Sequence, residues 1–255
     1  MTNILLCGAN GKMGHVIESM ISQRADLSVI AGIDRNTVPY SRFPIYDSLE
    51  AFHGKADVVM DFSNPALLED LLAYCIRTGT PLVAATTGYT PEQVQAIQDA
   101  SRQVAIFFTF NLSLGINLLM ELAQRAAAVL GDAFDVEILE KHHRQKLDAP
   151  SGTALMLADA VNQASGERYQ YQYDRHSRRQ ARPGNEIGIH SVRGGTIVGE
   201  HEVIFAGRDE VLTLSHSAAS KEVFAAGAVS AAAFLAGRPA GLYRMKELLE
   251  GDTAK

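Results

Sequence analysis

Cysteine is scarce in this chain: only Cys7 and Cys75 occur among 255 residues, each inside an apolar run. Two cysteines cannot build a disulfide framework, so a reducing setting, the cytoplasm, is expected. Basic residues are also in deficit, with 23 Lys plus Arg against 29 Asp plus Glu and a net charge of −6. That balance excludes a generally basic nucleic-acid binder and leaves room only for a local basic groove. No apolar stretch approaches the roughly 20 residues of a membrane span. The opening MTNILLCGANGKMG has no basic segment and only a short apolar run, so no signal peptide is expected. Neither nucleic acid nor membrane is an expected partner. What is present is 47% hydrophobic residues, enough to bury a core in one large domain or two modest ones.

The first hundred residues alternate short apolar runs with helical patterns. Strands are expected at residues 4–7, 27–33, 57–62, 81–85 and 104–108, with helices at 12–24, after Asn64-Pro65, and after the cap Thr90. Strands apolar on both faces, alternating with helices, imply a parallel sheet covered on both sides. After Asn111 the rhythm changes. A long helix is expected over 116–130, then a strand with one wet face over 134–140 (FDVEILE), then a helix from about 153 to 164. Residues 165–186, rich in Tyr, Gln and Arg, read as an excursion or mobile loop. Three alternating runs over 187–217, broken at Gly194-Gly195 and Gly207-Arg208-Asp209, read as a β-meander. An alanine-rich helix over 222–236 and a short one over 243–250 close the chain.

The loop Gly8-Ala9-Asn10-Gly11-Lys12-Met13-Gly14 follows the first strand and opens a helix. Glycines there allow a tight turn and let backbone N–H groups approach a pyrophosphate at the positive end of the helix. The spacing is GxxGxxG rather than GxGxxG, which is weaker alone. Asp34, closing the second strand about 20 residues after the last glycine, stands where an acid meets the adenosine ribose. Arg35 follows it and can reach a 2′-phosphate, so both NADH and NADPH stay open. Asp61-Phe62-Ser63 and Thr86-Thr87-Gly88 lie at strand ends, where the ligand crevice of such a fold forms. Helix capping by Ser63 and Thr90 is the competing reading.

The densest polar segment is EKHHRQKLDAPSGTA, residues 140–154. His142, His143, Arg144 and Lys146 can each donate hydrogen bonds from a positive group, the histidines only when protonated. Ser151-Gly152-Thr153 then places two hydroxyls and a bare backbone N–H at a helix N-terminus, an arrangement that binds a carboxylate or phosphate. Zinc is a poor alternative, since adjacent histidines on extended backbone face opposite ways and no cysteine accompanies them. A solvated basic turn with a serine cap is the other alternative.

This segment resembles the signature of the dihydrodipicolinate reductase (4-hydroxy-tetrahydrodipicolinate reductase) family, roughly E-x-H-H-x-x-K-x-D-x-P-S-G-T-A, at every fixed position. DFS at 61–63, TTG at 86–88, N-x-S-x-G at 111–115, VRGG at 192–195, GEHEV at 199–203 and FAAGA at 224–228 extend the resemblance over nearly the whole chain. It implies His142 as proton donor/acceptor and Lys146 as second proton donor. It implies that His143, Ser151, Gly152 and Thr153 hold a small dicarboxylate substrate. Gly8, Ala9, Asn10, Gly11, Lys12 and Met13 would form the dinucleotide loop, Asp34 and Arg35 the ribose end. Ala85, Thr86, Thr87 and the run Thr109, Phe110, Asn111, Leu112 would be further cofactor contacts. Two departures are Ala85, commonly Gly in the family, and Lys221, commonly Arg.

The expected fold is α/β: a Rossmann-like dinucleotide-binding domain of residues 1–112 and 220–255. An α+β substrate and oligomerisation domain, residues 113–219, would carry a mostly antiparallel sheet. The resemblance implies a homotetramer, no metal, and NADH- or NADPH-dependent reduction of 4-hydroxy-tetrahydrodipicolinate on the diaminopimelate route to lysine. A reductase of the same plan resembling aspartate dehydrogenase, or a non-catalytic dinucleotide sensor, are the alternatives. Clustered proton donors argue against the sensor.

Overall fold

Strand β1 (Thr2–Cys7) sets the plan of the first half, because Ile4, Leu5, Leu6 and Cys7 are all fully buried. A strand buried on both faces needs a layer on each side. The computed structural model, which describes residues 1–251, supplies both layers. After β1 come α1 (Lys12–Ile21), β2 (Leu27–Ile33), a two-residue β3 (Ile45–Tyr46), β4 (Val58–Asp61), α2 (Leu68–Thr78), β5 (Leu82–Ala84), α3 (Pro91–Ala100) and β6 (Ala105–Phe108). Ile4, Leu6, Val58, Met60, Val83 and Phe107 pack with α1 on one face. Leu5, Cys7, Val59, Leu82, Ile106 and Phe108 pack with α2 and α3 on the other. Each such side chain contributes about 1.5–3 kcal/mol when fully buried.

The second half continues with α4 (Leu114–Leu130), β7 (Asp135–His142), α5 (Gly152–Ala164), β8 (Gln170–Gln172), β9 (Glu186–Arg193), β10 (Gly199–Ala206) and β11 (Val211–Ala218), then α6 (Glu222–Leu235), β12 (Gly241–Tyr243) and α7 (Met245–Glu250). The chain divides into two units. One takes Met1–Leu114 and the chain from Glu222 onward; the other is Gly115–Lys221. Of the expected 220–255 segment, residues 252–255 lie outside the described residues.

The first unit holds a seven-stranded sheet in the order β12-β6-β5-β4-β1-β2-β3, parallel throughout. The strand order reverses beside β1, whose neighbours are β4 and β2. Helix caps follow the sequence signals in part. Thr90 caps α3 with a reciprocal Gln93 partner, whereas Asn64, not Ser63, caps the turn that leads into α2. Strands β3 and β12 are too short for their apolar pattern to stand out. Tyr243, expected to begin the last helix, instead ends β12, which pairs with Ala105–Phe107.

The second unit corrects two expectations. Its sheet has the order β11-β10-β7-β9-β8 and is mixed: two pairings are antiparallel and two parallel. The runs over 187–217 therefore do not form a meander. β7 lies between β9 and β10, and only β10 and β11 form a hairpin, across Gly207-Arg208-Asp209. The Gly194-Gly195 bend bonds to the chain leaving β7, through Gly194 N–H to His142 O and Arg144 N–H to Gly195 O. The expected excursion at 165–186 carries β8 and is pinned by Arg175 on Glu137 and Glu186, and by Arg182 on Glu137 and Asp135. Val136 and Ile138 pack on α4 and α5 through Ile116, Leu119, Ala154, Leu157 and Val161.

Helix α6 is alanine-rich because it lies very close to its neighbours in the first unit. A Cβ added at Gly227 would sit 1.8 Å from the carbonyl oxygen of Leu112. Gly227→Ala is expected to destabilise the protein by about 1–3 kcal/mol, since the backbone must retreat. Thermal unfolding checks this, and an unchanged Tm would mean that α6 does not need this approach.

Candidate active site

In the first unit, the candidate cofactor residues gather at the carboxyl ends of the parallel strands, the ligand-binding edge of a doubly wound sheet. Gly8 has φ +76°, and a Cβ there would meet the Phe62 carbonyl oxygen at 2.5 Å. Only glycine fits. Gly11 precedes α1 in extended conformation with no side-chain cap, and no acid lies in the first turn. That leaves the helix start suited to an anion. Ala9 is buried beneath the loop, Met13 is half-buried, and Lys12 is exposed.

Asp34 is tied to this loop directly. Its Oδ2 accepts from Asn10 N–H at 2.9 Å and its Oδ1 from Asn36 N–H at 3.0 Å. The Asn10 amide in turn donates to the carbonyls of Asn36 and Val38. Arg35 is exposed on the same loop. At the next strand ends Ala85 is buried, Thr86 half-buried and Thr87 exposed. Thr109 Oγ1 bonds to the backbone of Asn111, whose Oδ1 accepts from Ser113 N–H, while Phe110 is 74% exposed and Leu112 buried.

Sequence reasoning gave no role to the acid at the end of β4. Asp61 has no exposed surface and accepts from the Ser63 N–H and hydroxyl and from the Tyr89 hydroxyl. Burial raises its pKa despite these donors. The bonds join the 61–63 and 86–89 strand ends, so Ser63 braces this edge instead of capping α2.

In the second unit the polar segment begins on the buried face of β7. Glu140, with no exposed surface, and His142, 8% exposed, follow Val136 and Ile138 on that face. His142 Nδ1 lies 2.6 Å from Glu140 Oε2. Arg193, opposite His142 in the parallel β7–β9 register, clasps both Glu140 oxygens at 2.6 and 2.8 Å. Ser151 N–H reaches Glu140 Oε1 at 3.1 Å. Burial opposes ionisation, yet Arg193, His142, the Ser191 side chain and Ser151 N–H outweigh it and pull the Glu140 carboxyl down to about 2. It is a carboxylate at any working pH.

His143 is half-buried, and its Nδ1 is buried with no hydrogen-bond partner. Lys146 Nζ sits 2.9 Å from Asp148 Oδ1, and the ammonium lowers the Asp148 pKa. Ser151 is buried. Its hydroxyl accepts from Ala154 N–H, capping α5, and bonds to His201 Nε2 at 3.1 Å. Gly152 is exposed and Thr153 half-buried at the first turn of α5. Arg193, His201 and Asp148 were given no role by sequence reasoning, although they lie in the VRGG run, the GEHEV run and the 140–154 signature.

His201 is 4% exposed, and its ring packs edge-on to His142 with centroids 5.2 Å apart. Burial, and then His142, lower its pKa from 6.5 to about 4. A base depressed in the folded state contributes stability that is complete above its unfolded value. That contribution is lost as pH falls through the window from 6.5 to about 4. Wild type is expected to lose about 3 kcal/mol more than His201→Gln across that window. Denaturant melts at both ends measure it; parallel curves would show that His201 is not held neutral.

Among the described residues, no helix is long and apolar enough to cross a membrane. Residues 2–112 match the family described as "Dihydrodipicolinate reductase, N-terminus", and residues 115–249 match "Dihydrodipicolinate reductase, C-terminus". The chain is 49% identical over 250 residues to a 4-hydroxy-tetrahydrodipicolinate reductase of Caldanaerobacter subterraneus, covering 98% of this chain and 99% of the relative. A reductase of the same name from Clostridium tetani is 44% identical over 251 residues, covering 98% and 97%. The structure of a dipicolinate-bound dihydrodipicolinate reductase from Paenisporosarcina sp. aligns with a TM-score of 0.81 at 27% identity, covering 96% and 97%. The chain, matched in both halves, belongs to the dihydrodipicolinate reductase family of oxidoreductases.

Proposed function

We propose that this protein reduces 4-hydroxy-tetrahydrodipicolinate to tetrahydrodipicolinate with loss of water, using NADH or NADPH, on the diaminopimelate route to lysine. The observation that carries the reading is the family match across both halves, together with the intact signature at residues 140–154. The same match disfavours a dinucleotide sensor or an aspartate dehydrogenase-like reductase. We assign the first unit to the dinucleotide, the second to substrate and to assembly as a homotetramer, and the protein to the cytoplasm.

The residues of the first unit fit a nicotinamide dinucleotide. Gly8 and Gly11 keep side-chain bulk off the loop that leads into α1, whose first-turn N–H groups have no intrahelical acceptor and suit a pyrophosphate, and Asp34 retains lone pairs for ribose hydroxyls. When bound, the cofactor supplies the hydride. Ala85, Thr86, Thr87, Thr109, Phe110, Asn111 and Leu112 would border its nicotinamide end. In the second unit His143, Gly152 and Thr153 would hold the substrate carboxylates, with Ser151 fixing the start of α5. His142 and Lys146 would exchange the protons that accompany loss of water and hydride addition. Asp148 keeps the Lys146 ammonium in place.

Two measurements test this reading. His142→Gln and Lys146→Ala are each expected to lower kcat by about 10² to 10⁴ while NADH affinity, read by fluorescence titration, is kept. Turnover within a few-fold of wild type would return these residues to a solvated turn. The second concerns the coenzyme. Arg35→Ala is expected to raise KM for NADPH and leave NADH nearly unchanged, because only NADPH carries the 2′-phosphate. Equal losses with both coenzymes would show that Arg35 does not read that group.

A further inference from the structure

Glu140 is a carboxylate with no exposed surface, and its oxygens accept four hydrogen bonds between them. Oε1 takes the Ser151 N–H and Arg193 Nη2; Oε2 takes Arg193 Nη1 and faces His142 Nδ1. An ionised carboxylate has only lone pairs to offer. At 2.6 Å the hydrogen between Glu140 and His142 therefore belongs to the imidazole, on Nδ1. Arg193 matters twice, since it neutralises the buried charge and its Nη2 also donates to the Asp148 carbonyl. The carboxyl is held at about 2, far from any pH at which it could take that hydrogen itself.

We propose that Glu140 is a positioning residue that fixes His142 in its Nδ1–H tautomer, so that His142 exchanges the reaction's proton only at Nε2. The inference rests on the reading that His142 carries a proton in the reduction. With Nδ1–H locked, a neutral His142 presents a lone pair at Nε2, and a protonated one presents an N–H at the same point. One ring atom thus serves both directions of transfer. A carboxylate that merely anchored Arg193 and α5 would impose no tautomer on the ring.

The two roles separate in Glu140→Gln, which keeps the size and replaces one acceptor oxygen with a donor. An amide N–H facing His142 forces Nδ1 to accept and moves the ring hydrogen to Nε2. The tautomer is read by heteronuclear nitrogen NMR on isotope-labelled histidine at mildly alkaline pH, with His142 assigned by its loss in His142→Gln. Wild type is expected to show the Nδ1–H pattern. Glu140→Gln is expected to lose that pattern and to lower kcat about 10- to 100-fold, with little change in KM for the coenzyme. An Nε2–H pattern in the wild type overturns the proposal, whether or not the variant folds. A folded variant with wild-type tautomer or wild-type kcat overturns it equally. Wild-type enzyme inactive on 4-hydroxy-tetrahydrodipicolinate would instead sink the functional reading, leaving the tautomer result to stand by itself.

Discussion

The buried carboxylate of Glu140 is the constraint on which the second unit turns. An ion removed from water costs several kcal/mol unless charge and hydrogen bonds replace its hydration. Here the replacements come from three separate places: Arg193 on β9, the N–H of Ser151 at the start of α5, and His142 on the same strand. Arg193 can reach only because β9 lies beside β7 in parallel register, with His142 opposite Arg193. A single buried charge therefore locks a strand pairing, a helix start and a histidine ring together.

The first unit depends on a different economy, apolar burial on both faces of a parallel sheet. Helices α1 and α6 cover one face and α2 and α3 the other. Such a sheet leaves its carboxyl edge for ligands, and the loops there are joined to one another. Asp34 grips the glycine loop through Asn10, and Asp61 grips the 86–89 segment through Tyr89. Two acids at strand ends thus hold the carboxyl edge in shape. Only Asp34 is half-exposed and open to a ligand; Asp61 is wholly internal.

The alternation of β7 was visible in the sequence, but its consequence was not. Reading FDVEILE as apolar and charged faces places Val136 and Ile138 inward, and the same parity carries Glu140 and His142 inward too. Charge alone suggests the opposite. Short edge strands escaped for another reason: two or three residues carry too little pattern, and β3, β8 and β12 exist only by pairing with longer partners. Residues 165–186 looked unstructured because their anchors, Glu137 and Asp135, lie far away in sequence.

The sequence by itself determined the alternating α/β rhythm, the glycine loop with its acid, the polar signature and, through that signature, the family. These are local patterns, written in neighbouring residues and in the period of hydrophobicity. Tertiary structure decided that β7 separates β9 from β10, that the second sheet is mixed, and that the capping Ser151 bonds to His201. It also decided that Glu140, His142 and Arg193 meet. Strand order and the pairing of buried charges are settled by which distant segments can satisfy one another away from water, a condition that no local pattern carries.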